Sequence, residues 1–179
     1  MLLKRLKKNG FATKLIRAKG ALGDSEKYPR WNLVARHETG NKGDCIHFNS
    51  HTDVVAAGHG WSIDPFGGIV RENRVYGRGA CDMKGGLATS IVAAETYIEL
   101  NPNHRGTIEI SATTDEESGG FSGVAFLAKK GYFNPNKVNH VIIPEPLNKD
   151  RICLGHRGVW WAEIETKGKI AHGSMPFLG

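Results

Sequence analysis

No run of apolar residues in this 179-residue chain approaches the roughly 18 positions a membrane-spanning helix needs, so no membrane partner is expected. The opening segment MLLKRLKKNG is positively charged, but it lacks the apolar centre and small-residue cleavage site of a secretory leader. Leu2, Leu3 and Leu6 instead mark one face of a short amphipathic helix stopped at Gly10. Cysteine is scarce. Cys45, Cys81 and Cys153 are widely spaced, odd in number and form no C-x-x-C pair, which argues against a disulfide framework and for a reducing, cytoplasmic setting. With no partner histidine assigned to Cys81, packing is the expected use of its thiol. Internal repeats and low-complexity linkers are absent. So are the phosphate-binding signatures: there is no G-x-x-x-x-G-K-[ST], and in VYGRGACDMKGG the third glycine of the dinucleotide fingerprint is Asp82, which would repel a pyrophosphate. The net charge of +6 is dispersed, apart from Lys4, Arg5, Lys7 and Lys8 on the first helix. No basic stretch alternates with aromatics, and no nucleic-acid partner is expected.

What is present is an ordinary globular composition, 40% hydrophobic and 23% charged, with length for one domain or one domain plus the start of another. Apolar runs, several rich in β-branched residues, predict strands at residues 11–18, 32–37, 44–50, 107–113, 138–143 and 159–166. Helices are predicted at the N-terminus, at 85–100 and at 120–130. In the second, Leu87, Ile91, Ala94 and Ile98 recur at three- and four-residue steps and give one buried stripe. Strands alternating with helices predict an α/β domain whose sheet is covered on both faces, with functional residues gathered beyond the strand ends.

The strand-end residues are unusual. CIHFNSHTDVV runs apolar and then ends in His51 and Asp53, which alternation places on one side with Thr52 opposite. That pair alone fits a satisfied polar contact as well as half of a metal site. Further on, SATTDEESGG ends a strand in Asp115, Glu116 and Glu117, more acid than a helix N-terminus needs. Glu145 sits between Pro144 and Pro146 after another apolar run, and Asp82 lies in a glycine-rich turn before a helix. Carboxylates converging without a cation would repel and take up protons, a difficulty that a divalent metal removes. One histidine with several carboxylates and no thiolate pair suits a catalytic or dinuclear zinc centre better than a structural zinc site.

SHTDVV, GRGACDMKGG, TDEESGG, PEP and GKIAHGSMP follow the order and approximate spacing of the zinc-dependent N-acyl-amino-acid amidohydrolases. The chain resembles that metallopeptidase family along nearly its whole length, most of all the acetylornithine deacetylase/succinyl-diaminopimelate desuccinylase branch. The resemblance implies a mixed, mainly parallel sheet covered by helices (residues 1–157, an incomplete catalytic domain) and the first strand of an α+β lid/dimerisation domain (158–179). It further implies two Zn2+ per complete subunit, with Co2+ able to substitute. His51 would bind one zinc, with Asp53 behind it fixing the imidazole tautomer. Asp82 would bridge the two metals, Glu117 and Glu145 would be terminal ligands on opposite metals, and Glu116 would be the general base. His172 would reach from the lid into the partner subunit's site to stabilise the oxyanion. His51 and Glu145 would flank Asp82 on opposite sides at about 4–6 Å, given paired metals about 3.5–4 Å apart. The Asp82–Met83 peptide would be cis.

The implied activity is hydrolysis of small N-acyl amino acids, of acetylornithine or succinyl-diaminopimelate type, by a cytoplasmic homodimer of amino-acid biosynthesis. A di- or exopeptidase of the same family, or a catalytically silent fragment, is the alternative. The family supplies a further histidine ligand and most of the lid from later sequence, so the chain is expected to be a piece of a longer, active protein and to be inactive alone. His37, His47, His59, His104, His140 and His156 match no ligand position and are expected to be structural or exposed.

Overall fold

Alternation along five apolar runs builds one sheet. The computed structural model describes every residue except 148, 149, 156, 159, 161 and 166, and the chain divides into two compact units, Met1–Pro146 and Leu147–Gly179. In the first unit the order is α1 (Leu2–Lys8), β1 (Ala12–Arg17), β2 (Trp31–Glu38), β3 (Cys45–His51), β4 (Ile69–Arg71), β5 (Arg74–Tyr76), α2 (Gly86–Leu100), β6 (Thr107–Thr113), α3 (Val124–Lys129) and β7 (His140–Ile142). The main sheet runs β1-β2-β6-β3-β7. β6, β3 and β7 are mutually parallel, and β2 runs against both β1 and β6. Four of the five strands therefore share one direction, a mixed and mainly parallel sheet.

Its two faces differ in chemistry. Leu33 and Ala35 of β2 and Ile108, Ile110 and Ala112 of β6 turn to one face and meet Leu87, Ile91 and Ala94 of α2, with Leu6 and Phe11 closing the edge. This is the stripe predicted for α2, and burying each such side chain contributes about 1.5–3 kcal/mol. The opposite face is polar. His47, Asn49 and His51 of β3 stand in register with Glu109, Ser111 and Thr113 of β6. The His47 ring, fully buried, touches Glu109 Oε2 through Nδ1 (2.9 Å) and Ser111 Oγ through Nε2 (2.8 Å), under the ring of Phe133. Arg36 donates to Glu109 Oε1 at 2.6 Å. Burial pushes the Glu109 carboxyl up, but His47 and Arg36 together hold it below the usual range.

Three departures from the sequence reading have physical causes. The hairpin β4–β5 was not expected: its residues are mostly exposed on both sides, so no alternation marks it, and the turn is carried by Glu72 and Asn73 at φ 51° and 58°. α3 begins at Val124 rather than 120 because Gly119 and Gly120 adopt left-handed φ in the preceding turn. The strand expected at 159–166 is not formed at its described residues, 160 and 162–165. Strand backbone needs a pairing partner, and Trp160 and Ile164 stand exposed. Val159, Trp161, Thr166 and His156 lie outside the described residues.

His37 and His104, expected to be structural or exposed, form a pair: His37 Nδ1 lies 2.9 Å from His104 Nε2, flanked by Phe11 and Tyr97. Burial first, then His104, depresses the His37 pKa below its ordinary 6.5. A depressed histidine is held neutral in the folded state, so its contribution is complete above the unfolded value and is lost as pH falls through the folded one. The melting temperature of His37→Gln should accordingly fall less between pH 7 and pH 5 than that of the parent, by circular dichroism. Parallel curves would show that the pair carries no acid sensitivity.

Candidate metal centre

The site forms where β3, β6 and β7 end together, because parallel strands deliver their carboxyl ends to one rim. His51 is the last residue of β3 and is buried. Its backbone N–H donates to Met83 Sδ at 3.2 Å, and its Nδ1 lies 3.0 Å from the main-chain oxygen of Asp53. A carbonyl oxygen only accepts, so Nδ1 carries a proton and Nε2 faces the acids. Asp53 thus meets His51 chiefly through its backbone. Its carboxylate Oδ1 stands 3.5 Å from Nδ1, buried without a hydrogen-bond partner, while Oδ2 accepts the Glu117 N–H at 3.1 Å.

Asp82 comes from the kinked segment Ala80–Gly85 that leads into α2, where Asp82 and Met83 have non-helical backbone, and the Asp82–Met83 peptide is cis as the resemblance implied. Its Oδ1 is 3.0 Å from His51 Nε2. Glu116 and Glu117 lie in a single helical turn just after β6, Glu116 Oε2 being 3.8 Å from the same nitrogen. Glu145 follows β7 and approaches that nitrogen to 3.7 Å. Gly86 makes this approach feasible: a Cβ there would sit 2.1 Å from the Pro144 oxygen, so only glycine lets the post-β7 segment lie against the start of α2.

His51, Asp82 and Glu145 offer ligand atoms within 4.8 Å of one another, and so do His51, Glu116 and Glu117. The expected placement of His51 and Glu145 on opposite sides of Asp82 is corrected by this grouping. The close packing of Pro144 on Gly86 brings Glu145 in beside His51, and the three belong to one ion-sized triad. Both triads are nitrogen and oxygen donors without thiolate, a set that suits a divalent cation such as zinc. The electrostatics agree. Burial first, then Asp82 and Glu116, raise the Glu145 carboxyl against the pull of His51. Burial, then the charges of Asp82, Glu116 and Asp53, raise Glu117. Burial lowers His51, but the hydrogen bond to Asp82 and the charges of Asp53 and Glu145 outweigh it and raise the imidazole. A cation among these groups would offset the same crowding of negative charge.

The remaining sequence candidates fall elsewhere. His172 belongs to the second unit, where its Nδ1 accepts the Ser174 N–H at 3.3 Å and lies 2.9 Å from Ser174 Oγ. Cys81 is exposed next to Asp82, and the buried thiol of Cys45 is pushed up to about 11, chiefly by desolvation. Asn32, Asp115 and Ser122, which the sequence reading assigned no role, cluster beneath the Glu116–Glu117 turn. A buried asparagine opening an otherwise apolar strand, in WNLVAR, was the available signal.

Residues 47–175 match the description "Peptidase family M20/M25/M40", and the chain belongs to that family. Among curated proteins it is 32% identical to a succinyl-diaminopimelate desuccinylase from Polynucleobacter necessarius subsp. necessarius (strain STIR1), in an alignment spanning 100% of this chain and 48% of that protein. The chain therefore spans about half the length of the curated relative it matches. Among solved structures it resembles human carnosine dipeptidase 1 (21% identity, TM-score 0.62, 78% of this chain and 30% of that one). It also resembles the Saccharomyces cerevisiae dipeptidase Dug1p (19%, 0.64, 79% and 31%). An M20 family metallo-carboxypeptidase from Sulfolobus solfataricus gives 23%, 0.61, 80% and 30%. These likenesses establish the shared fold. Among the described residues, no helix is long and apolar enough to cross a membrane.

Proposed function

We propose that the chain supplies the metal-binding half of an amidohydrolase that cleaves small N-acyl amino acids of the acetylornithine or succinyl-diaminopimelate type. The observation that carries this is the convergence of His51, Asp82, Glu116, Glu117 and Glu145 on one rim in a chain of this family. Two Zn2+, replaceable by Co2+, would be held by His51, Asp82, Glu117 and Glu145. Zinc there would acidify a bound water and polarise the amide carbonyl. Glu116, half exposed beside the buried imidazole, takes the proton from the attacking water and returns it to the leaving amine. Asp53 keeps the His51 proton on Nδ1 through its carbonyl, leaving Nε2 for a ligand bond. The products are a free amino acid and a small carboxylate.

In this reading residues 1–157 belong to the catalytic domain and 158–179 open a lid/dimerisation domain. The whole protein is a cytoplasmic homodimer of amino-acid biosynthesis, and His172 serves the partner subunit's site by stabilising the oxyanion. The identity to a desuccinylase favours acyl-amino-acid substrates over dipeptides, which the likeness to two dipeptidases keeps as the second reading.

The 179-residue chain alone should bind metal yet not turn over, because the resemblance places a further histidine ligand and most of the lid beyond this span. The test measures zinc content and hydrolysis of N-acetylornithine, N-succinyl-diaminopimelate and a dipeptide. One sample is the chain itself. The other is a chimera continued after Gly179 by the C-terminal half of the desuccinylase relative. Turnover of an acyl amino acid by the chimera only is expected. Equal turnover by the chain alone would refute the need for the second half, and a chimera that cleaves only the dipeptide would replace the substrate class.

A further inference from the structure

We propose that Asp115, tied to Ser122 and backed by Asn32, is a positioning residue that aims the Glu116–Glu117 turn at the metal centre. This deepens the reading above and rests on it. Asp115 is a buried, non-glycine residue in the left-handed region, φ 71° and ψ 16°. That conformation is uncommon away from glycine, though aspartate tolerates it better than most, and it concentrates at functional sites. Its backbone oxygen accepts the N–H of Gly120 at 2.6 Å and of Ser118 at 3.3 Å, while Oδ2 accepts the Ser122 N–H at 3.1 Å.

Ser122 and Asn32 are both fully buried. Ser122 Oγ donates to the Leu22 oxygen, and the Ser122 oxygen accepts from Asn32 Nδ2 at 2.8 Å. Asn32 Oδ1 in turn accepts the Thr114 N–H at 3.2 Å. Gly123 completes the closure: a Cβ there would lie 1.9 Å from the Thr114 oxygen. The loop from Thr114 to Gly123 is thereby cinched onto the start of β2, and its far flank is held by Asp53 Oδ2 on the Glu117 N–H. The two glutamates sit between these anchors. A half-exposed carboxylate gains affinity for a cation when its backbone is fixed in advance, since less ordering is left for binding.

The roles of conformation and acceptor can be separated. Asparagine at 115 keeps both the left-handed tolerance and a side-chain oxygen, glycine keeps only the first, and alanine keeps neither. The readouts are zinc affinity of the full 179-residue chain, by competition with a chromogenic chelator, and the visible spectrum of bound Co2+, both at a temperature where circular dichroism shows each variant folded. We expect Asp115→Asn to match the parent. Asp115→Gly and Asp115→Ala should lose about 10–100-fold, as outer partners of metal ligands do, with a changed Co2+ spectrum. If alanine prevents folding, Asp115→Gly decides alone. Parental affinity and spectrum in Asp115→Gly would make the clamp purely structural and overturn the inference. Asparagine as weak as alanine would mean that charge, not position, is the contribution, and would overturn it too. A parent chain that binds neither Zn2+ nor Co2+ would instead sink the metal site itself, and the inference with it.

Discussion

Glu116→Gln, placed in the chimera described above, is expected to lower turnover by about 10²–10⁴-fold while leaving zinc content unchanged. The amide keeps the size of the side chain and a carbonyl oxygen but cannot take up the water's proton. Glu117→Gln should do the reverse at first instance: zinc content falls, and activity falls with it and is partly restored by excess metal. Both side chains offer an atom to the group with His51, but only Glu117 has its backbone N–H held by Asp53 Oδ2. Metal analysis beside steady-state kinetics reads both. Equal metal loss in the two variants would show that Glu116 is a ligand and would remove it as the base.

His51→Ala carries the second large effect. The imidazole Nε2 is the one nitrogen donor in either candidate group, so its removal should weaken zinc binding by at least the roughly 100-fold that loss of an outer partner can reach. There is a linked effect of pH. His51, Glu117 and Glu145 are all raised in the metal-free fold, so each binds protons more tightly folded than unfolded. Their contributions are present at low pH and are lost as pH rises through the folded values. The stabilisation given by added zinc should therefore grow from pH 5 to pH 8, as the metal replaces those protons, and His51→Ala should flatten that growth. Melting curves with and without zinc measure it. A zinc increment independent of pH in the parent chain would contradict proton–metal exchange at this site.

Much of the site was legible because strand ends announce themselves. A β-branched run that stops in a histidine or a cluster of acids is incompatible with burial on both faces, and parallel topology then sends several such ends to one rim. Asp82 was legible for a different reason, as an acid where a phosphate loop would need glycine. What stayed hidden were contacts that depend on backbone rather than on residue type. His51 and Asp53 do share a side, as alternation required, yet the bond to Nδ1 is made mainly by a carbonyl. The flank from which Glu145 enters is set by the packing of Pro144 on Gly86, which no spacing in the sequence expresses. Asp115 looked like one more acid in a run of three. Its left-handed φ and its tie to Ser122 are features of the folded loop, and the bonds from Asn32 that back them exist only once β2 lies beside it. The hairpin β4–β5 escaped because exposure on both sides leaves no period to read.

The unequal faces of the sheet have a consequence for how this chain tolerates error during pairing. His47, Asn49 and His51 oppose Glu109, Ser111 and Thr113, while Ile46, Phe48 and Ser50 oppose Ile108, Ile110 and Ala112. A slip of β3 by one residue would exchange the rows, driving an imidazole into hydrocarbon and lifting Phe48 onto the charged side. Such a frame-shifted sheet forfeits the His47–Glu109 contact and the apolar seam together, so it cannot persist as a near-native alternative. The same register that proofreads the pairing also decides that His51, and not Ser50 or Thr52, arrives at the rim facing the acids.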